Sequence, residues 1–218
     1  MTLGLAIPCT KSYINYLENL LENISKQTVL PDEISISISE MENYYPTNDY
    51  GLNLIITTTI DKKNGAENRN IASSKLNTDI VSFMDCDDLM HPQRTEFIKE
   101  SFVNDIDGVV HDFEISHNCS WKTIEFPLDE FLNVTYENMD FKKDVIDSIV
   151  SGSLYPNNVS VKYVYHNAHV SVKKELLKNF TYDTTHTFPD SIFNRSLIEN
   201  GYKLSYISNK LSYYDLKW

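Results

Sequence analysis

Through its first 113 residues the chain alternates short β-branched or apolar runs with helical stretches, an order that leaves few folds open to it. Glu33-Ile34-Ser35-Ile36-Ser37-Ile38-Ser39 alternates strictly between polar and apolar, the period of a strand. Residues 3–8, 52–58, 80–84 and 108–113 read as further strands, the first of them ended by Pro8. Leu17, Leu20, Leu21 and Ile24 recur at helical spacing and predict an amphipathic helix over 12–26. Other helices are expected over 65–76 and from His91-Pro92 onward, since proline suits a first helical turn. Strands taking turns with helices imply a mostly parallel sheet with right-handed crossovers. After Ile115 the pattern loosens. Strands are expected over 121–126, 163–172 and 203–207, and weak helical character over 129–150. A short helix near 173–178 and another after Phe188-Pro189-Asp190, stopped by Gly201, complete a single domain.

Ligands of such a sheet bind beyond the carboxyl ends of its strands. Those ends carry Pro8-Cys9-Thr10-Lys11, Ser39-Glu40 and Asp85-Cys86-Asp87-Asp88. The last group is the most informative, because the apolar run Ile80-Val81-Ser82-Phe83-Met84 stops there at three carboxylates in four positions. In extended chain Asp85 and Asp87 face one way, and Asp88 joins them if the chain turns. Taken alone, the cluster fits either a solvated acidic turn or an oxygen-ligand site for a hard cation, Mg²⁺ or Mn²⁺.

Charge narrows the partners. A net charge of −12 argues against nucleic acid, and an anionic substrate would need a cation between itself and the protein. Hydrophobic content of 41% and charged content of 23% are those of a soluble globular chain. No run approaches the roughly 20 apolar residues that span a bilayer, so no transmembrane segment is expected. Residues 1–8 lack the basic start of a secretory signal. Cys9, Cys86 and Cys119 are odd in number and widely spaced, which indicates neither a disulfide framework nor a zinc site. A reducing, cytoplasmic setting fits them.

The features in order resemble the GT-A glycosyltransferases of the family-2 type. Ala6-Ile7-Pro8-Cys9-Thr10-Lys11 is similar to the family's first strand ending in proline and a small polar pair. Ser25-Lys26-Gln27-Thr28 with Pro31-Asp32-Glu33-Ile34 is similar to its helix-to-strand join. Asn64-Gly65-Ala66-Glu67-Asn68-Arg69-Asn70 looks like its glycine-bearing approach to an Arg-Asn pair. Asp85 to Asp88, followed by His91-Pro92-Gln93-Arg94, resembles its DxD motif and the helix after it. Pro189-Asp190-Ser191, Gly201-Tyr202-Lys203 and Tyr213-Tyr214 are similar to its late segment.

The resemblance implies an α/β chain of GT-A (nucleotide-diphospho-sugar transferase) fold, a mostly parallel central sheet flanked by helices with a less regular C-terminal half. Residues 1–113 would hold the nucleotide sugar and 114–218 the acceptor. It implies a metal-dependent transferase that moves a sugar from a nucleoside-diphosphate sugar, UDP-sugar favoured, to a glycan or other hydroxyl acceptor with inversion, using Mn²⁺ or Mg²⁺. Asp85, Asp87 and Asp88 would form the metal cluster, with Asp87 the first choice for direct ligand and Asp85 also reaching the donor's ribose. Pro8, Thr10 and Arg69 would contact the donor, and Asp190 would be the catalytic base. His166, His169 and His186 are candidates for one more ligand. Tyr44 and Tyr45 are candidates for stacking on a sugar.

This chain departs from the family where the second strand ends in Ser39-Glu40 rather than aspartate, which shifts the base contact to those two residues. Pro189 also stands where the family has glutamate. Two other functions stay open: a degenerate GT-A domain that binds nucleotide sugar or glycan, and a metal-dependent phosphoryl-transfer enzyme. Against the latter, its Asp-x-Asp belongs on a first strand, and here it follows the fourth.

Overall fold

The computed structural model of the chain describes residues 1–102, 106–115, 127–136, 145–146 and 169–214. The strand expected over 121–126, the 163–168 part of another, Cys119 and His166 lie outside these residues.

Strand β1 (Leu3–Thr10) is buried along its length and leads through a 3-10 turn (Lys11–Tyr13) into α1 (Ile14–Ile24). The expected helical face, Leu17, Leu20, Leu21 and Ile24, is the buried one. Pro8 does not end the first strand. β1 pairs with β4 (Ile80–Phe83) only as far as Ala6, so the amide that Pro8 lacks faces a side from which the neighbour has departed. β2 (Glu33–Ser39) and β3 (Leu54–Thr59) follow, with α2 (Gly65–Lys75) crossing back to β4. The serines of β2 are buried as fully as its isoleucines. Small side chains there let α2 approach closely, and Ser37 Oγ donates to Asn68 Oδ1 of that helix at 2.9 Å.

Beyond β4 lie β5 (Leu89–Met90), α3 (Arg94–Ser101), β6 (Gly108–Ile115), α4 (Leu128–Asn133) and β7 (Val145–Ile146). Then come β8 (Ser171–Lys173), a 3-10 turn (Lys174–Lys178), α5 (Pro189–Glu199) and β9 (Leu204–Tyr214). The helix expected at His91-Pro92 begins later, at Arg94, because Leu89 and Met90 first pair with Tyr213 and Ser212. The last strand is longer than the expected 203–207, running alongside β6 to Tyr214.

These strands form one sheet in the order β3-β2-β1-β4-β8-β6-β9-β5, with β7 paired to β9. The first four are mutually parallel, as are β6 and β9. β8 is antiparallel to both its neighbours. This short late strand wedges into the middle of the sheet and carries the chain just upstream of it to the tip of β4. One apolar cluster lies under α1 and α3, and a second, holding Phe83, Phe193 and Leu197, lies under α2 and α5. Gly201 stops α5 as expected: at φ +84 its amide donates to Ile198 O and that of Tyr202 to Leu197 O, a left-handed helix stop.

Candidate active site

The parallel run of β1, β2 and β4 puts their carboxyl ends on one edge, and Thr10 pairs directly with Ser39 there. A cleft of about 300 Å³ opens on that edge, lined by Pro8, Cys9, Thr10, Tyr13, Gly65, Asn68, Arg69, Asp85, Cys86 and Asp87. Its shape comes from α2, whose N-terminus is closed by a reciprocal pair: Glu67 N–H donates to Asn64 Oδ1 while Asn64 N–H donates to Glu67 Oε2. From the next turn Asn68, fully buried, donates to Cys9 O at 3.1 Å and Ser39 Oγ at 3.2 Å. Asn68 therefore fastens the helix to the tips of β1 and β2. The Ser39 hydroxyl, also donating to Lys63 O, is committed to this joint rather than to the cleft. Glu40 is exposed at φ 62, and neither residue lines the opening.

Arg69 is the centre of the charge arrangement. Its Nη2 donates to Asp85 Oδ1 at 2.5 Å, and its Nη1 lies 3.5 Å from Asp190 Oδ1. Burial opposes the guanidinium charge, but Asp85 and Asp190 outweigh it and raise its pKa. The Tyr182 ring, stacked on Phe193, lies 5.3 Å beneath the guanidinium. Asn70 locks Tyr182 in place through two backbone hydrogen bonds of 2.9 Å. Three residues distant in sequence, Arg69, Asp85 and Asp190, thus meet. Asp190 lies inside the first turn of α5 with Pro189 at the helix start, so Phe188 holds the capping position.

After Phe83 the chain leaves β geometry, and the Asp88 amide donates back to Asp85 O at 3.3 Å. Side-chain alternation ends with the strand, and this turn sets Asp88, not Asp87, beside Asp85. Carboxylate oxygens of Asp85 and Asp88 gather with a ring nitrogen of His169, all within 4.8 Å of one another. Asp87 lines the cleft but stands outside that group. Burial, then the charges of Asp88 and Asp85, pushes the Asp87 pKa up to about 6.

His169 is fully buried where the chain enters β8. Burial pushes its pKa down to about 3, with Asp85 opposing and Arg94 adding to the shift. Its Nε2 lies 3.3 Å from the Asp85 amide and 3.1 Å from Asp88 Oδ2, and its Nδ1 lies 2.8 Å from Ser212 Oγ. The Nε2–Oδ2 spacing is close to that of adjacent ligands about 2.1 Å from an octahedral ion. Two carboxylates and one imidazole are a donor set that fits a divalent cation. Of the other histidine candidates, His186 is exposed on the loop before α5.

Tyr44 donates to Glu18 Oε1 at 2.7 Å and braces its loop against α1, while Tyr45 is exposed. Sequence reasoning assigned nothing to Tyr182, Ser212 or Arg94. No motif marks the first two. Arg94, quoted above only as part of a resemblance, is fully buried and donates to Ser82 Oγ, Phe83 O, His169 O and His111 Nε2. It ties β4, β6 and the approach to β8 together beneath the acid cluster.

Neither protein-family models nor curated protein sequences match the chain. Solved structures do. TarS of S. aureus superposes with a TM-score of 0.68 at 15% identity, covering 99% of this chain and 37% of TarS. TarS 1-349 in complex with UDP-GlcNAc gives 0.64 at 14% identity, covering 100% of this chain and 59% of that one. The mannosyltransferase PcManGT from Pyrobaculum calidifontis, in complex with GDP-Man and Mn²⁺, gives 0.58 at 15%, covering 95% of this chain and 54% of that one. The chain therefore spans well under two thirds of the length of these structures. Sheet order, helical layers and these superpositions agree: the chain has the GT-A fold of glycosyltransferases.

Proposed function

We propose that this domain transfers a sugar from a nucleoside-diphosphate sugar, UDP-sugar favoured, to a hydroxyl acceptor, with a divalent cation and inversion at the anomeric carbon. The convergence of Arg69, Asp85 and Asp190 beside the Asp85–Asp88–His169 group, at the mouth of the strand-end cleft, carries this reading. The complexes of the structural neighbours with UDP-GlcNAc, and with GDP-Man and Mn²⁺, support it.

Pro8, Thr10 and Tyr13 would receive the nucleoside, with Asp85 toward the ribose. Asp85, Asp88 and His169 would hold the cation, with Asp87 adjoining. When bound, it would neutralise charge growing on the departing diphosphate, an effect of several kcal/mol. Arg69 adds a buried positive charge on the same side and orients Asp190. Asp190 would take the proton from the acceptor hydroxyl, which attacks as the diphosphate leaves from the opposite face. Residues 1–113 would provide the donor half and 114–218 the acceptor half, much of the latter outside the described residues. No helix among the described residues is long and apolar enough to cross a membrane, and the free thiols Cys9 and Cys86 suit a cytoplasmic setting.

A thermal-shift panel of nucleotide sugars with and without Mn²⁺ tests the reading. A cation-dependent rise in melting temperature for UDP-sugars is expected. No shift with any nucleotide sugar would refute it, and product NMR showing retained anomeric configuration would refute inversion.

A further inference from the structure

Arg94, the first residue of α3, is fully buried and follows the acid turn by six positions from Asp88. Its Nη2 donates to Ser82 Oγ and Phe83 O of β4 at 3.0 Å each, and to His169 O at 3.3 Å. Its Nε donates to His111 Nε2 of β6 at 3.1 Å. Ser171 of β8 extends the joint, donating from its Oγ to Ser82 Oγ at 2.8 Å. Every partner of Arg94 here is a carbonyl, a hydroxyl or an imidazole, and none is a carboxylate. Burying a guanidinium against such partners costs stability, and an apolar side chain of like volume would fill the space with less penalty. What arginine alone supplies is a planar fork of donors pointing several ways from one rigid centre.

Two of the acceptors lie on the segments that carry the candidate ligands. Phe83 stands two residues before Asp85, and the third carbonyl is that of His169 itself. One nitrogen holds both, so the end of β4 and the approach to β8 meet at a single atom. We propose that Arg94 is a positioning residue for the Asp85–Asp88–His169 group, fixing how far His169 stands from the acid turn and so the space a cation would enter. It acts through the backbone of the segments that bear these side chains. Its own charge works against the role, because a positive group beneath the cluster repels a second cation. Geometry and charge therefore predict opposite signs for the loss of Arg94. The consequence for a cation rests on the function proposed above, whereas the clamp on His169 does not.

The test uses two variants of the full chain. Arg94→Lys keeps the charge and gives up the fork, and Arg94→Met gives up both. Each is checked for cooperative urea unfolding and titrated with Mn²⁺ under folded conditions by electron paramagnetic resonance. Both should bind Mn²⁺ at least about tenfold more weakly than the wild type, the scale seen when groups supporting metal ligands are disturbed. Leu20→Ala, a truncation on the buried face of α1, should lose stability with Mn²⁺ affinity unchanged. Unchanged affinity in Arg94→Lys, tighter binding in Arg94→Met, or an equal loss in Leu20→Ala would overturn the proposal. Should Arg94→Met fail to fold, Arg94→Lys decides. A second readout needs no metal: the rings of His169 and Tyr214 stand edge to face with centroids 4.8 Å apart, close enough for a nuclear Overhauser effect between them. That effect should weaken in Arg94→Lys, and its persistence at full strength would overturn the clamp. If the wild type binds no Mn²⁺, the metal reading fails instead, and the ring contact still decides whether Arg94 positions His169.

Discussion

Arg69 engages two carboxylates 105 positions apart, so the charge of Asp190 is positioned by a residue 121 places earlier. In the proposed reaction Asp190 takes a proton only as the acceptor attacks. Asp190→Asn should lower kcat by about 10²–10⁴-fold while changing the KM for donor little, as steady-state kinetics would show. Ser212 Oγ, 2.8 Å from His169 Nδ1, holds that ring with its Nε2 toward Asp88. Ser212→Ala should weaken Mn²⁺ binding by about tenfold in isothermal titration without touching the ion. The acid cluster at 85–88 and Asp190 were legible in the sequence. Which two of the clustered acids come together with a histidine was not, because a turn from Asp85 to Asp88 replaces the alternation of an extended strand.

Among the elements, β8 decides most. Its three residues hold β4 and β6 apart by one strand and deliver His169 to the acid cluster. Gly108 marks how tightly it fits: a Cβ there would lie 2.5 Å from Leu204 Cδ2 and 3.0 Å from Ser171 O. The leucine tip can move, but the carbonyl is backbone of β8. Gly108→Ala should cost about 1–3 kcal/mol, read as a lower midpoint in urea with an unchanged slope. The helices and parallel strands of the first half were readable because each pattern carries its own period. A three-residue strand has too few positions for a period to show. Likewise β5 is stabilised by its pairing with β9, a contact 124 residues away that local pattern cannot display.

The whole molecule shows its polar burial in its response to acid. His91, His111 and His169 are all fully buried, and burial is the first cause lowering the pKa of each. They remain neutral in the fold, while imidazoles of the unfolded chain protonate near pH 6.5. Below that value the unfolded state binds more protons, so stability present above it is lost as pH falls. Asp87 works the other way: raised to about 6, it takes up a proton in the fold before the unfolded chain does. Glu100 is raised too, by burial and the charge of Glu96, so three imidazoles against two carboxyls among the described residues should give a net fall in stability between pH 7.5 and 5.5, measured by urea unfolding without metal. Asp87→Asn removes one opposing contribution, so its fall should be steeper.

From the sequence alone came the α/β class, the parallel first half, the helical faces and the edge where the cleft opens. These follow from periodicity, from chain breakers and from the rule placing sites at strand ends, all of them local or topological. Tertiary structure alone decided that Asp88 pairs with Asp85, that His169 and not His186 joins them, and that Arg69 bridges to Asp190. The reason is physical: each of these pairings is a short contact set by how a turn, a wedged strand and a buried helix face come together. The free energy of that packing lies in contacts between segments whose sequences carry no mark of one another.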